Sequence, residues 1–362
     1  MADKKKVPSL QEFAEEQSAA RFEENQRILN EFRTVRHELA ERTAELEGVR
    51  KRLGIYEVLD AARLEPPDWL TPKPKKGAMH SAIPCIGLGD IHWGEKVEPD
   101  RIDGLNKYGV EIAKLRTKRA FEKAVEVPRV YMAGLKFEGV QVFFTGDMVG
   151  GIIHEELKET NEEAITESVL GMAEYLSAGL GMLADEFGRV NVTAVVGNHG
   201  RLTKQMPTKN PQECMDWLVY QMVARDFRND DRVTIDAPRA LSARATVYST
   251  NYYSTHGTQF KGGGGISGIA APLLLGTHRA TRKSAAAKKP FDIMVVGHFH
   301  QEFFWPAKGL IVCGTPKGYD EYAAFKEFEP EAPRATLWLT TPEHGATSYW
   351  PLFVSDRKAE GW

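Results

Sequence analysis

Five apolar, strand-like runs in this chain each break off into a short segment carrying Asp, His or Asn. This repetition constrains the fold more than any other feature. The first run leads into Gly89-Asp90-Ile91-His92, and Val142-Phe143-Phe144 leads into Gly146-Asp147. Val195-Val196 leads into Gly197-Asn198-His199-Gly200, and Tyr252–Thr255 into His256-Gly257. The last, Ile293-Met294-Val295-Val296, leads into Gly297-His298-Phe299-His300. Short apolar runs bounded by Gly read as buried strands. In open α/β sheets, functional groups gather beyond the carboxyl ends of the strands. Any one of these residues alone is ordinarily a satisfied core or loop residue. The whole set, buried with no purpose, would leave several ionisable groups desolvated, which is costly. Carboxylate, imidazole and amide oxygen suit Mn²⁺, Fe²⁺, Zn²⁺, Co²⁺ or Ni²⁺ better than soft copper(I).

The spacing of the runs sets the fold class. Strands are expected over 83–88, 139–145, 190–196, 246–255, 291–296, 309–313, 335–340 and 347–354. Helices are expected over 109–132, 162–187, 211–227 and 266–286. Alternation of this kind predicts a layered α/β fold. The late strands have no helices between them, so part of the sheet structure is expected to be antiparallel.

Ahead of this region, residues 8–60 contain no Pro after Pro8 and are rich in Glu, Arg, Ala and Leu. A heptad places Asn25, Phe32, Leu39, Leu46 and Leu53 at a, and Ile28, Val35, Arg42, Val49 and Tyr56 at d. Glu31, Glu38 and Glu45 fall at g, and Arg36 and Arg50 at e. That pattern predicts a long coiled-coil helix over 1–60 and a homo-oligomer formed through it. A single amphipathic helix lying on its own domain is the plainer alternative. Pro66, Pro67, Pro72 and Pro74 mark 61–82 as a linker, which leaves 83–362 as the α/β domain that carries the strand-end residues.

Composition excludes several classes. A net charge of −3 over 362 residues does not describe a protein that coats nucleic acid by bulk charge. Cys85, Cys214 and Cys313 form no Cys-x-x-Cys pair, so neither a disulfide framework nor a thiolate zinc site is indicated. No stretch approaches the roughly 18 apolar residues of a membrane span, and no apolar segment follows the basic N-terminus. A cytoplasmic protein with no membrane partner is expected.

The set and order of the strand-end blocks resemble the calcineurin-like metallophosphoesterase superfamily. Its pattern runs D-x-H, G-D-x-x, G-N-H, a lone His, then G-H-x-H. The resemblance spans residues 83–315 and implies a sandwich of mixed β-sheets flanked by helices. It implies two divalent ions, Mn²⁺ favoured, with Fe, Zn, Co or Ni as alternatives. Asp90, His92 and His300 would bind one ion, and Asn198, His256 and His298 the other, with Asp147 bridging. A hydroxide shared by the ions would attack phosphorus, and His199, not itself a ligand, would stabilise charge or protonate the leaving oxygen. Two departures stand out. Gly200 occupies the place of the acid that often follows G-N-H, and the later acid of G-D-x-x-D is missing. Some other group must therefore orient His199, or its pKa is tuned differently.

The substrate is read from nearby charge. Residues 200–210 carry Arg201, Lys204 and Lys209 without an acid, and 261–290 carry Lys261, Arg279, Arg282, Lys283, Lys288 and Lys289 without one. Basic tracts beside a phosphoesterase site suit a polyanion. Cations at a helix C-terminus also have a purely structural use. His154, Arg201 and Lys204 are candidate substrate contacts, and Tyr319 and Tyr322 are either base-stacking or packed aromatics. The catalytic region also resembles the DNA repair exonuclease branch and bacteriophage-encoded phosphoesterases. That implies a phosphodiesterase acting on nucleic acid, a nuclease. A phosphomonoesterase is the first alternative, and a scaffold with a decayed site the second.

Overall fold

A computed structural model of the chain describes residues 27, 30–31, 33–45, 80–132, 134–151, 153, 160–203, 205, 208–260 and 268–362. Residues 33–45 are helical, with exposed pairs such as Arg42–Glu45 at 3.0 Å. The rest of the expected 8–60 helix, and the linker up to residue 79, lie outside the described residues.

Two mixed sheets carry the remaining fold. The first contains β1 (Ser81–Leu88), β2 (Lys136–Phe137), β3 (Val140–Phe144), β4 (Val190–Ala194) and β5 (Val233–Asp236). The second contains β6 (Ser242–Val247), β7 (Thr250–Thr255), β8 (Ile293–Val296), β9 (Phe303–Trp305) and β10 (Leu310–Val312). β11 (Arg334–Thr341) and β12 (Gly345–Phe353) return to the first sheet, whose order is β12-β11-β1-β3-β4-β5 with β2 beside β1. β1, β3, β4 and β5 are mutually parallel, while β11 and β12 are antiparallel, as expected of strands without intervening helices. In the second sheet, β7, β8 and β10 are parallel and form its centre.

Side-chain alternation explains why the central strands read as unbroken apolar runs. Ile83 and Cys85 of β1, Phe143 of β3 and Trp338 of β11 meet Ile293, Val295 and Ile311 of the second sheet in a shared core. Ile86, Leu88, Val142 and Phe144 point the other way, toward the helices α1 (Val110–Glu126), α2 (Ile165–Phe187) and α3 (Met215–Asp226). Met294, Val296, Leu310 and Val312 face Leu273 and Ala280 of α4 (Ala270–Ala286). With both faces covered, alternate residues all become apolar. The result is a four-layer arrangement of helices, sheet, sheet and helix.

Some boundaries differ from expectation. The single strand expected over 246–255 is a hairpin, because Tyr248 adopts φ 52° between β6 and β7. A non-glycine residue there gives no turn signal in sequence. β1 begins at Ser81, inside the expected linker. α4 connects parallel β7 to β8, so it runs back along the sheet. Arg282 and Lys283, near its C-terminal end, therefore lie toward the end remote from His256 and His298. A helix of this length spans about 25 Å. The structural reading of these cations, at a helix C-terminus, is the one this placement favours over polyanion contact at the strand-end residues.

Candidate metal centre

The parallel strands of both sheets end at one rim, and the Asp, His and Asn side chains converge there. Asp90 and His92 follow β1, Asp147 follows β3, and Asn198 and His199 follow β4. His256 follows β7, and His298 and His300 follow β8. Asp90 (φ 50°), His92 (φ 51°), Asp147 (φ 50°), His298 (φ 70°) and His300 (φ 54°) all have left-handed backbones. Such conformations are uncommon outside Gly and cluster at sites where the fold compels them. They bend each chain inward immediately past its strand. Glycines permit the close approach of the loops. A Cβ on Gly197 would lie 2.0 Å from Asp147 Oδ1, and one on Gly297 would lie 2.4 Å from Asp90 Oδ2.

The donors form two clusters. In one, His300 Nε2 lies 3.4 Å from Asp90 Oδ1, His92 Nε2 lies 3.9 Å from the same oxygen, and the two imidazole nitrogens are 3.0 Å apart. In the other, His256 Nε2 lies 3.0 Å from Asp147 Oδ2 and 3.0 Å from Asn198 Oδ1, with His298 beside them. Asp147 Oδ2 is also 4.0 Å from His92 Nε2, so it faces both clusters.

This donor set fits a pair of divalent cations. Asp90 Oδ1 is buried without a hydrogen-bond partner, which a cation would supply. Burial holds His92 down to about 4, against Glu95, and His298 down to about 3, so both rings are neutral donors. Burial opposes a charge on His256, but Asp147 outweighs it and raises the ring to about 9. A cation bound there would displace that proton. Burial resists ionisation of Asp147 too, but the surrounding imidazoles hold its carboxyl well below the usual range.

Supporting groups surround the donors. The imidazole of His256 is held through Nδ1 by the Thr145 carbonyl at 2.7 Å, and Thr258 Oγ1 donates to Asn198 Oδ1 at 2.7 Å. The His298 N–H donates to Asp90 Oδ2 at 2.8 Å. Asp216, buried on α3, accepts backbone N–H groups from Asp147, Met148 and Gly197.

His199 lies against the same centre. Its backbone N–H donates to Asp147 Oδ1 at 2.7 Å. Its Nδ1 is 3.1 Å from Glu95 Oε1 and 3.2 Å from the Gly150 carbonyl. Glu95 is therefore the group beside His199 that the missing acids had left open. Burial works against a charged His199, but Asp147 and Glu95 raise its affinity for a proton. Sequence reasoning passed over Glu95, Lys317 and Asp216. The only cue to Glu95 is its place three residues after His92.

Seven expected ligands and His199 are thus brought together. Arg201 lies two residues beyond His199, and its Nε donates to the Thr203 carbonyl at 2.9 Å. His154 and Lys204 lie outside the described residues. Tyr319 packs partly buried against the core, whereas Tyr322 is exposed with its ring against Phe328.

No family model matches the chain. No curated protein matches it. Loosely similar solved structures include two from different organisms. One is the sulfate thiohydrolase SoxB of Thermus thermophilus in complex with glycerol. Its TM-score is 0.30 at 8% identity, over 78% of this chain and 58% of that one, so this chain spans less than two thirds of SoxB. The other is a dimetal phosphatase from Danio rerio, with TM-score 0.30 at 10% identity, over 75% of this chain and 99% of that one.

Proposed function

We propose that this protein is a dinuclear metal-dependent phosphoesterase of the calcineurin-like metallophosphoesterase superfamily. We propose further that it hydrolyses phosphodiester bonds, with nucleic acid the favoured substrate. The observation that carries the reading is the position of Asp147. One carboxylate oxygen faces His256 at 3.0 Å and His92 at 4.0 Å, between two clusters that each supply further donors.

Asp90, His92 and His300 would hold one ion, Asn198, His256 and His298 the other, and Asp147 would contact both. Bound divalent ions supply Lewis acidity, lowering the pKa of water and neutralising phosphoryl charge. The chain's residues do the rest. Left-handed backbones and the carbonyl of Thr145 fix donor directions before substrate arrives. His199 and His300, at 21% and 24% exposure, and the partly exposed His298 border the approach to the centre. His199 then stabilises developing charge, or gives its proton to the leaving oxygen.

A phosphomonoesterase is the second reading. The placement of Arg282 and Lys283 toward the remote end of the second sheet favours it, because those cations then contribute little to holding a polyanion at the centre. Turnover of bis(p-nitrophenyl) phosphate against p-nitrophenyl phosphate in Mn²⁺ separates the two. A single-stranded oligonucleotide tests the nuclease reading directly. Strong monoester and negligible diester turnover would remove the phosphodiesterase reading, and an intact oligonucleotide would remove the nuclease.

A further inference from the structure

Glu95 stands behind two imidazoles at once. Its Oε1 lies 3.0 Å from Nδ1 of His92 and 3.1 Å from Nδ1 of His199. An ionised carboxylate oxygen only accepts hydrogen bonds, and its two lone pairs serve two donors. Both rings therefore present Nδ1–H to Glu95, which leaves each Nε2 free of that contact. The two rings meet edge to face with centroids 4.4 Å apart.

The other oxygen of Glu95 is equally committed. Lys317 Nζ donates to Oε2 at 2.5 Å and pairs with Asp320 at 2.6 Å. Glu95 and Lys317 are both buried. The Lys317 backbone is itself fixed, since its carbonyl accepts from Arg116 at 2.8 Å and from Asn106 at 2.9 Å. Arg116, fully buried, is paired with Glu360 at 2.9 Å. Breaking such a pair would leave a charge buried and unmatched, which is strongly unfavourable. Glu95 thus has no inexpensive alternative position.

Gly150 adds an independent observation. It occupies the place of the missing acid of the G-D-x-x-D pattern, and a Cβ there would lie 2.4 Å from Glu95 Cγ. The space that a side chain at 150 would need is filled by Glu95, which arrives from the β1 loop instead.

We propose that Glu95, clamped by Lys317, is one positioning residue for both His92 and His199, so that ion binding and charge stabilisation by His199 depend on the same carboxylate. This rests on the phosphoesterase reading for the roles of the two rings. Without the carboxylate the His92 ring can exchange tautomers, and His199 keeps the Gly150 carbonyl at 3.2 Å beside its Nδ1. A His92 ring with its proton on Nε2 has no lone pair there for a cation, and a His199 ring without the carboxylate behind Nδ1 is less firmly held to aim an Nε2 proton at developing charge.

The test uses the full-length, ¹⁵N-labelled chain after chelation. Long-range ¹⁵N–¹H spectra are assigned with His92→Gln and His199→Gln. Both rings should carry the Nδ1 proton in the unaltered protein, and His92 should become a tautomer mixture in Glu95→Ala. Calorimetric titration with Zn²⁺ should show one of two equivalents weakened about 10–100-fold in Glu95→Ala, the usual scale for loss of a group that orients a ligand. Lys317→Met should weaken the same equivalent, and the double variant should be little worse than Glu95→Ala alone. On bis(p-nitrophenyl) phosphate with saturating metal, kcat should fall while KM holds within about twofold. A ring without the Nδ1 proton in the unaltered protein overturns the proposal. So do unchanged tautomers and Zn²⁺ affinity in Glu95→Ala, or strictly additive losses. If Glu95→Ala does not fold, the unaltered spectra and Lys317→Met still decide. Correct tautomers without any ester hydrolysis would leave the shared clamp standing and remove the phosphoesterase reading.

Discussion

Asp216 sits directly behind Asp147 and accepts its backbone N–H at 2.9 Å. The same oxygen accepts Gly197 N–H at 2.8 Å, and the second oxygen accepts Met148 N–H at 3.1 Å. A single buried carboxylate of α3 therefore joins the loop after β3 to the loop after β4. Asp216→Asn offers one oxygen in place of two, so at least one buried N–H would face an amide donor. An unsatisfied buried group of this kind costs about 1–3 kcal/mol. Urea unfolding should show that loss, while Asp226→Asn, exposed on the same helix, should stay within about 0.5 kcal/mol. Equal stabilities for the two variants would contradict the role of Asp216.

Asp147→Asn should disturb both ions together. The residue faces both donor clusters, and the amide lacks the charge that offsets two cations. Elemental analysis after reloading with Mn²⁺ or Zn²⁺ is the check, and two ions retained at full occupancy would remove the bridging assignment.

His199→Ala should leave both ions bound and lower turnover by at least about 10²-fold, the usual scale of a general acid. Its contacts include Glu95, the Gly150 carbonyl, the edge of the His92 ring and, through its backbone, Asp147. Loss of metal on this substitution would contradict the non-ligand role.

The convergence of the Asp, His and Asn side chains was legible because its signal is local: each block follows an apolar run whose alternate residues are buried on both faces. The partition of those runs between two sheets was not legible, since β3 pairs with β1 and β4 while β7 pairs with β8. Nor was the break at Tyr248, where a non-glycine residue takes the left-handed conformation. Lys317 is 222 positions from Glu95, and Asp216 is 69 from Asp147. Neither pair has a sequence pattern, because packing rather than spacing brings the partners together. The placement of the basic 261–290 segment was hard to read for the opposite reason. Its charges are adjacent in sequence, but α4 carries Arg282 and Lys283 back along the sheet, away from the centre.

Deleting residues 1–60 should lower the oligomer size without abolishing turnover of a small diester. Val35 and Leu39, at d and a of the heptad, are 60% and 66% exposed on the helical segment 33–45. Apolar seam residues left in water gain most by pairing with another copy. Light scattering decides, and an unchanged mass would refute this segment as the oligomerisation element.

Asp320 should give the protein an acid-labile share of its stability. Burial opposes its ionisation, but Lys317 at 2.6 Å outweighs that and holds its carboxyl down to about 2. The folded pKa is thus below the ordinary carboxylate value of about 4. A group depressed in this way stabilises the fold above its unfolded pKa, and the stabilisation disappears as pH falls through the folded value. A gap of nearly two units corresponds to about 2 kcal/mol. Asp320 also caps α5 (Glu321–Phe325) by accepting the Ala323 N–H at 2.8 Å. Asp320→Asn keeps a capping oxygen and removes only the charge, since Asn caps helices about as well as Asp. Its deficit relative to the unaltered protein, measured by urea unfolding, should be about 2 kcal/mol at pH 7 and shrink as pH falls from about 4 toward about 2. A deficit that stays constant across that window would show that the Lys317 pair contributes nothing through charge.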